Sequence, residues 1–257
     1  RLKDAGGSIV YSNVSPGAAY FQDPDNHGYV YHRAGSFGPD GSPIVGDEHL
    51  NVTHDAKGDT AMTERFCQEV LVDRKPSFAV LWQCEPDHSQ HSHELGSPAH
   101  LAAIAAADIN AGTVANAVDK LNASGEDILL LIGSDHGHET VGDIIDLDAE
   151  LIAAGFKANT DSSDVVVTSQ GFSAFVYLAD NQRHKIQEIA FFLSSLDGVG
   201  GVYAGADLDR IGQRSDGALA IAVDAAKSDT ETAYGIPGLS TAFANRFSMT
   251  LETGKGE

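Results

Sequence analysis

The sequence predicts an α/β fold with a mostly parallel central sheet and a small α+β insertion. Two short apolar runs, Phe78–Trp82 and Ile128–Ile132, read as buried parallel strands. Between them a long segment, from Ser97-Pro98 to about Asn122, reads as one helix. Strand, helix, strand in that order is a crossover whose right-handed geometry brings both strand ends to one edge of a sheet. Each run is followed by a loop rich in Asp and His: Pro86–Glu94 after the first, Gly133–His138 after the second. Open α/β sheets hold their ligands outside the carboxyl ends of strands, so both loops stand where a site is expected.

Taken in order, residues 1–58 are loop-rich, with strands expected at Ser8–Tyr11 and Tyr29–His32 and turn chemistry at 23–28 and 38–43. His27, His32, His49 and His54 are scattered through this region and read as solvated loop residues. A helix is expected from Asp59 or Thr60 as N-cap, with Met62, Phe66, Val70 and Leu71 on its apolar side and Arg74-Lys-Pro76 ending it. On the long helix, Leu101, Ile104, Ala105, Ile109, Val114, Val118 and Leu121 recur at roughly helical spacing, predicting one apolar face. Residues 143–215 read as a small α+β subdomain. It has a helix over 146–154, strands at 164–168 and 173–178, a helix from Asp180 to about Leu196 and an edge strand at 198–203. His184 reads as surface. Ala218–Val223 returns to a buried strand, and Gly235-Ile-Pro-Gly238 is a tight turn.

The chain of 257 residues has a formal charge of −21, which argues against a basic surface for nucleic-acid polymers or anionic membranes. No run of about 18 apolar residues occurs, so no membrane span is expected. Cys67 and Cys84 are too few for a disulfide framework, and Cys84 reads as a small residue ending a buried strand. The sequence specifies no compartment. It starts at Arg1 and stops at Gly254-Lys-Gly-Glu257, and it is expected to be a piece of a longer protein.

Asp87 and His91 place two metal-type side chains four residues apart, and Asp135 and His136 place two more side by side. Carboxylate with imidazole suits a divalent ion, zinc first and manganese or iron next. Two such pairs suggest two ions about 4 Å apart, as in phosphoryl-transfer hydrolases. The competing reading makes Asp135-His136 an Asx-type turn. A metalloprotease helix is excluded, because His91-Ser-His-Glu94 has the wrong order.

Pro86-Asp-His-Ser-Gln-His91 followed by Leu95-Gly96, and Ser134-Asp-His-Gly137 after an apolar run, resemble the type I phosphodiesterase/nucleotide pyrophosphatase family of the alkaline phosphatase superfamily. The resemblance is clear over about 60–140 and weaker over 200–245, where Gly235–Gly238 looks like the family's late turn. It implies an α/β/α sandwich, with the chain as one incomplete alkaline-phosphatase-like domain. It implies a hydrolase of phosphodiester or pyrophosphate bonds in a small-molecule substrate, acting through two divalent metal ions, with a periplasmic or extracellular setting. Asp87 and His91 would bind one zinc, and Asp135 and His136 the other. His138 stands where the family usually has an apolar residue, often Met, and is either a pocket or ligand-supporting group or an exposed one. His88 and His93 either line the pocket mouth or lie at the surface. The family's Asp-then-Ser/Thr nucleophile segment and its last His-Gly motif have no match, and Thr60 and Ser89 do not sit in the nucleophile's context. Within the superfamily a phosphomonoesterase or phosphonate hydrolase is the alternative; from another class, a non-catalytic metal-binding fragment.

Overall fold

The computed structural model describes residues 7–244 and 251–257. The chain start at Arg1 and position 245, the end of the weaker stretch of resemblance, lie outside them. The chain divides into two compact units, Arg1–Ser89 with Pro98–Gly137, and Gln90–Ser97 with His138–Glu257.

The first unit begins with strand β1 (Ser8–Ser12), short helix α1 (Pro16–Phe21) and strand β2 (Tyr29–His32), followed by two-residue strands β3 (Ser36–Phe37) and β4 (Pro43–Ile44). Helix α2 (Ala56–Phe66) runs on into a π-helical turn over Cys67–Arg74, closed by Lys75 at φ 46°. Strand β5 (Phe78–Trp82), one-turn helix α3 (Asp87–Gln90) and long helix α4 (Pro98–Ala123) follow. The sheet order is β4-β3-β2-β1-β5, with β1 parallel to both β2 and β5 and the two short strands antiparallel. The carboxyl ends of β1, β2 and β5 therefore share one edge. Its core joins Ile9, Tyr11, Tyr31, Leu50, Met62, Phe66, Val70, Val114 and Val118. Tyr11 stacks on Tyr31 with ring centroids 4.4 Å apart.

Three expectations are corrected here. Helix α2 is capped by Asp55, whose carboxylate accepts from the Gly58 amide at 2.8 Å, one turn before the expected cap. Asp59 is buried instead, and the exposed Thr60 hydroxyl donates to the Ala56 carbonyl. The segment Ile128–Ile132 forms no strand. Ile128 and Leu130 pack on the core, while Leu129 and Leu131 are 83% and 82% exposed. A run buried on both faces needs cover on both, and this one is covered on one side only among the described residues. The buried side of α4 is His100, Ala103, Asn110, Val114 and Val118, and Leu101, Ile104 and Ile109 are exposed. Spacings of three, seven, four and four put that set on the face turned to α2 and the π turn. By length and composition α4 could cross a membrane; here one face of it serves the core of this unit.

The second unit holds β6 (Thr140–Ile145), α5 (Leu147–Ala153), β7 (Val165–Gln170), β8 (Ser173–Leu178), α6 (Ile186–Ser194), β9 (Val199–Ala204), α7 (Asp207–Arg210), β10 (Leu219–Ala225), β11 (Lys227–Glu231) and β12 (Pro237–Phe243). β7-β8-β10-β9 form an antiparallel sheet, and β11-β12-β6 a second one in which β12 and β6 are parallel. Leu147, Leu151, Val176, Ile189, Leu193, Ile221 and Phe243 fill its core. The elements expected over 146–223 are thus present, the helix after Asp180 starting as a 3-10 turn over Asp180–Lys185.

Candidate functional site

In the first unit, parallel pairing of β5 with β1 aims the chain after Trp82 out of the carboxyl edge of the sheet. Asp87 opens α3 there. The Glu85 carboxylate accepts from both the amide and the hydroxyl of Ser89, each at 3.0 Å, and so braces this first turn. The loop after 128–132 returns to the same place: His136 Nε2 lies 3.6 Å from an Asp87 carboxylate oxygen and 3.6 Å from one of Asp135. The three side chains are about half exposed. The missing strand did not change the destination of the loop, because Ile128 and Leu130 still anchor its start to the core.

Both carboxylates approach the same imidazole nitrogen, and carboxylate oxygen with imidazole nitrogen are the donor types that suit a divalent cation. The His88 ring meets that of His54, with centroids 4.5 Å apart. Burial first, then the Arg33 and His88 charges, holds the His54 pKa below the ordinary histidine value.

In the second unit, His91 Nδ1 is 3.3 Å from a Glu257 carboxylate oxygen, and its ring meets that of His138 edge-on at 4.8 Å. The close packing depends on Gly256, where a Cβ would stand 3.2 Å from His138 Nδ1 and 2.9 Å from Leu95. Glu139 holds the neighbouring backbone: it bonds Lys227 of β11 and Ser240 of β12, and these two bonds depress its carboxyl pKa. Of the six residues singled out from the sequence, Asp87, Asp135 and His136 are brought together, His91 and His138 are brought together, and His88 pairs with His54.

Sequence reasoning missed two groups. His32 was expected to be solvated and is fully buried. Its Nδ1 accepts from the Ala34 amide at 2.9 Å, so the proton sits on Nε2, which faces the Val14 carbonyl at 2.9 Å. Burial holds its pKa below the ordinary value. The second is Asp59, a fully buried carboxylate. A capping reading absorbed it; its position four residues after Asp55, facing inward with Met62 and Thr63, was the available signal. Cys84 is buried and unbridged as expected, its thiol pKa pushed up by burial and by Asp59.

The family model for type I phosphodiesterase / nucleotide pyrophosphatase matches residues 9–201. Among solved structures, the chain resembles a phosphonoacetate hydrolase from Sinorhizobium meliloti 1021 in complex with phosphonoformate, with TM-score 0.58 and 14% identity over 99% of this chain and 63% of that one. It also resembles murine ectonucleotide pyrophosphatase / phosphodiesterase 5, with TM-score 0.52 and 16% identity over 99% of this chain and 58% of that one. The chain thus spans less than two thirds of either structure, and at these identities the likeness shows the fold: an α/β core of alkaline-phosphatase type. No curated protein sequence matches the chain.

Proposed function

Because the chain belongs to the type I phosphodiesterase/nucleotide pyrophosphatase family, we propose that it carries the metal-holding part of a phosphoester hydrolase. Its substrates are small molecules with phosphodiester or pyrophosphate bonds. Two divalent ions, zinc first, are held by Asp87 with His91 and by Asp135 with His136. Such ions supply Lewis-acid polarisation of a phosphoryl oxygen.

The observation that carries this reading is the approach of Asp87 to His136 at 3.6 Å, two residues from separate loops meeting at the carboxyl edge of a parallel sheet. This chain's residues would hold and orient: the two aspartates neutralise positive charge, and the Glu85 bonds to Ser89 keep Asp87 from swinging with α3. His138 stands beside the proposed ligand His91, while His88 packs against His54 and is given no role at the metal ions. The Ser89 hydroxyl is committed to Glu85 and Thr60 to the Ala56 carbonyl, so neither is assigned as nucleophile.

The test is metal content of the purified chain by plasma mass spectrometry, beside that of Asp87→Asn and His136→Ala. We expect about two equivalents of zinc in the parent and a loss of about one in each variant. Unchanged metal content in both variants would sink the ligand assignment. Hydrolysis of p-nitrophenyl phosphodiester, phosphomonoester and phosphonate substrates then separates the diesterase reading from its superfamily alternatives. Metal without turnover of any of them would leave the binding fragment as the better reading.

A further inference from the structure

The Asp59 carboxylate accepts four hydrogen-bond donors and has no cationic side chain among them. Oδ1 receives the Asn13 side-chain amide at 2.9 Å and the Cys84 backbone amide at 3.2 Å. Oδ2 receives the Glu85 backbone amide at 2.9 Å and the Cys84 thiol at 3.4 Å. Asn13, Asp59, Cys84 and Glu85 are all buried. Two consecutive backbone amides thus find their acceptor in one buried side chain, and a buried amide left without an acceptor is costly.

The placement of those amides matters. Cys84 and Glu85 immediately precede Pro86-Asp87 and lie past the end of β5, where the chain has left the sheet ladder and its amides need another acceptor. The Cys84 carbonyl in turn accepts the His88 amide at 2.9 Å, and Glu85 braces Ser89. On the far side Asn13 is fixed by donating to the Thr53 carbonyl at 2.9 Å and by the Arg33 guanidinium on its Oδ1 at 3.2 Å. The carboxylate therefore ties α2 and the end of β1 to the two residues that deliver Asp87.

We propose that Asp59 is a positioning residue: it fixes the Cys84–Glu85 backbone and thereby sets where the Asp87 carboxylate stands relative to His136. The assignment rests on the proposed role of Asp87 as a metal ligand. Asp59→Asn keeps the shape and removes the charge, and its amide group turns a donor toward one of the two backbone amides. The first turn around Asp87 then loosens, and affinity for a metal ion falls while the number of sites stays the same.

The experiment is titration of the metal-free chain with Co²⁺, followed by its visible absorption, for the parent, Asp87→Asn, Asp59→Asn and Met62→Ala. Met62 is fully buried on the same helix and belongs to the core cluster of Ile9, Tyr11, Tyr31 and Phe66, so Met62→Ala serves as the control for a general loss of stability. We expect Asp59→Asn to weaken Co²⁺ binding roughly tenfold, the range seen when groups supporting a metal ligand are removed. Met62→Ala should stay within about twofold of the parent at a melting temperature equal to or below that of Asp59→Asn. Alkylation of Cys84, read by mass spectrometry, should quicken in Asp59→Asn alone. If Asp59→Asn does not fold, Asn13→Ala should shift affinity in the same direction by a smaller factor. Parent-like Co²⁺ affinity in Asp59→Asn or, in its stead, Asn13→Ala overturns the proposal, as does an equal loss in Met62→Ala. If Asp87→Asn itself binds Co²⁺ like the parent, the ligand reading fails and the positioning role falls with it.

Discussion

The hydrogen bond from Tyr11 to Glu69 gives an asymmetry that can be measured. Tyr11 is fully buried between Tyr31 and Phe66, and its hydroxyl donates to Glu69 Oε2 at 2.5 Å. The other Glu69 oxygen receives Arg65 Nε at 2.6 Å, and the Glu69 side chain is 33% exposed. Burial pushes the Glu69 carboxyl pKa up, but the Arg65 and Tyr11 bonds together outweigh it and the pKa ends below the ordinary value. In Tyr11→Phe the donor disappears, both ring contacts survive, and the freed oxygen of Glu69 can turn to water. That should cost about 1 kcal/mol. In Glu69→Ala the tyrosine hydroxyl is left buried with no acceptor, about 1–3 kcal/mol, and the exposed end of an ion pair is lost, about 0.2–1 kcal/mol. Glu69→Ala should therefore cost about 2–3 kcal/mol, and the double variant should be more stable than the sum of the two singles by about 1 kcal/mol. The assay is urea unfolding read by the fluorescence of Trp82, the single tryptophan, which pairs with Ser12 on the strand beside Tyr11. A Tyr11→Phe loss equal to or larger than that of Glu69→Ala, or strict additivity, refutes the reasoning.

Two further outcomes follow from buried titratable groups. The folded-state pKa of His32 is lowered by burial, so its stabilising contribution is present above the unfolded value of about 6.5 and is lost as pH falls through the folded pKa. The melting temperature, scanned downward from about pH 8 to 5, should fall more steeply in the parent than in His32→Asn, and parallel curves would count against a neutral buried imidazole. In the second unit the buried Lys157 ammonium donates to the Val165 carbonyl at 2.7 Å and lies 3.1 Å from Asp148, whose side chain is 18% exposed. Asp148→Asn should cost about 3 kcal/mol in thermal or chemical unfolding, the low end for breaking a buried pair, and adding Lys157→Met should recover part of it. No recovery in the double variant would show that the cost is not that of a stranded charge.

How much of this was legible in the sequence depended on whether the signal was local. Strands 8–12, 29–32 and 78–82 and the helix starting at Pro98 were readable because their apolar runs and end signals are contiguous. The approach of Asp87 and Asp135 to His136 was also expected from two short loops, although one of the two strands on which that expectation rested does not form. What failed was anything decided by a distant neighbour. Ile128–Ile132 has a strand's composition, but composition does not say whether a strand lies beside it. The apolar spacing of Leu101, Ile104 and Ile109 does not say that α2 meets the helix on the side of Ala103 and Asn110. His32 and Asp59 look like a loop histidine and a cap until their partners at Val14, Ala34, Cys84 and Glu85 arrive from elsewhere in the chain. Polar groups, whose burial requires partners, are harder to place from sequence than apolar groups, whose burial requires only company.

The π-helical turn over Cys67–Arg74 bears on which insertions and deletions the chain can absorb. It carries Arg74 over Tyr29, 4.5 Å from the ring centre, just before Lys75 and the entry to β5. A wide i→i−5 turn holds more residues per revolution than an α-helix. One residue lost from it can be taken up by tightening the turn to the i→i−4 pattern. The same loss inside α2 would swing every later side chain by about 100°, carrying Phe66 and Val70 out of the core. Between the buried Asp59 and the loop of Asp87, this turn is the stretch where a change in length is tolerated best.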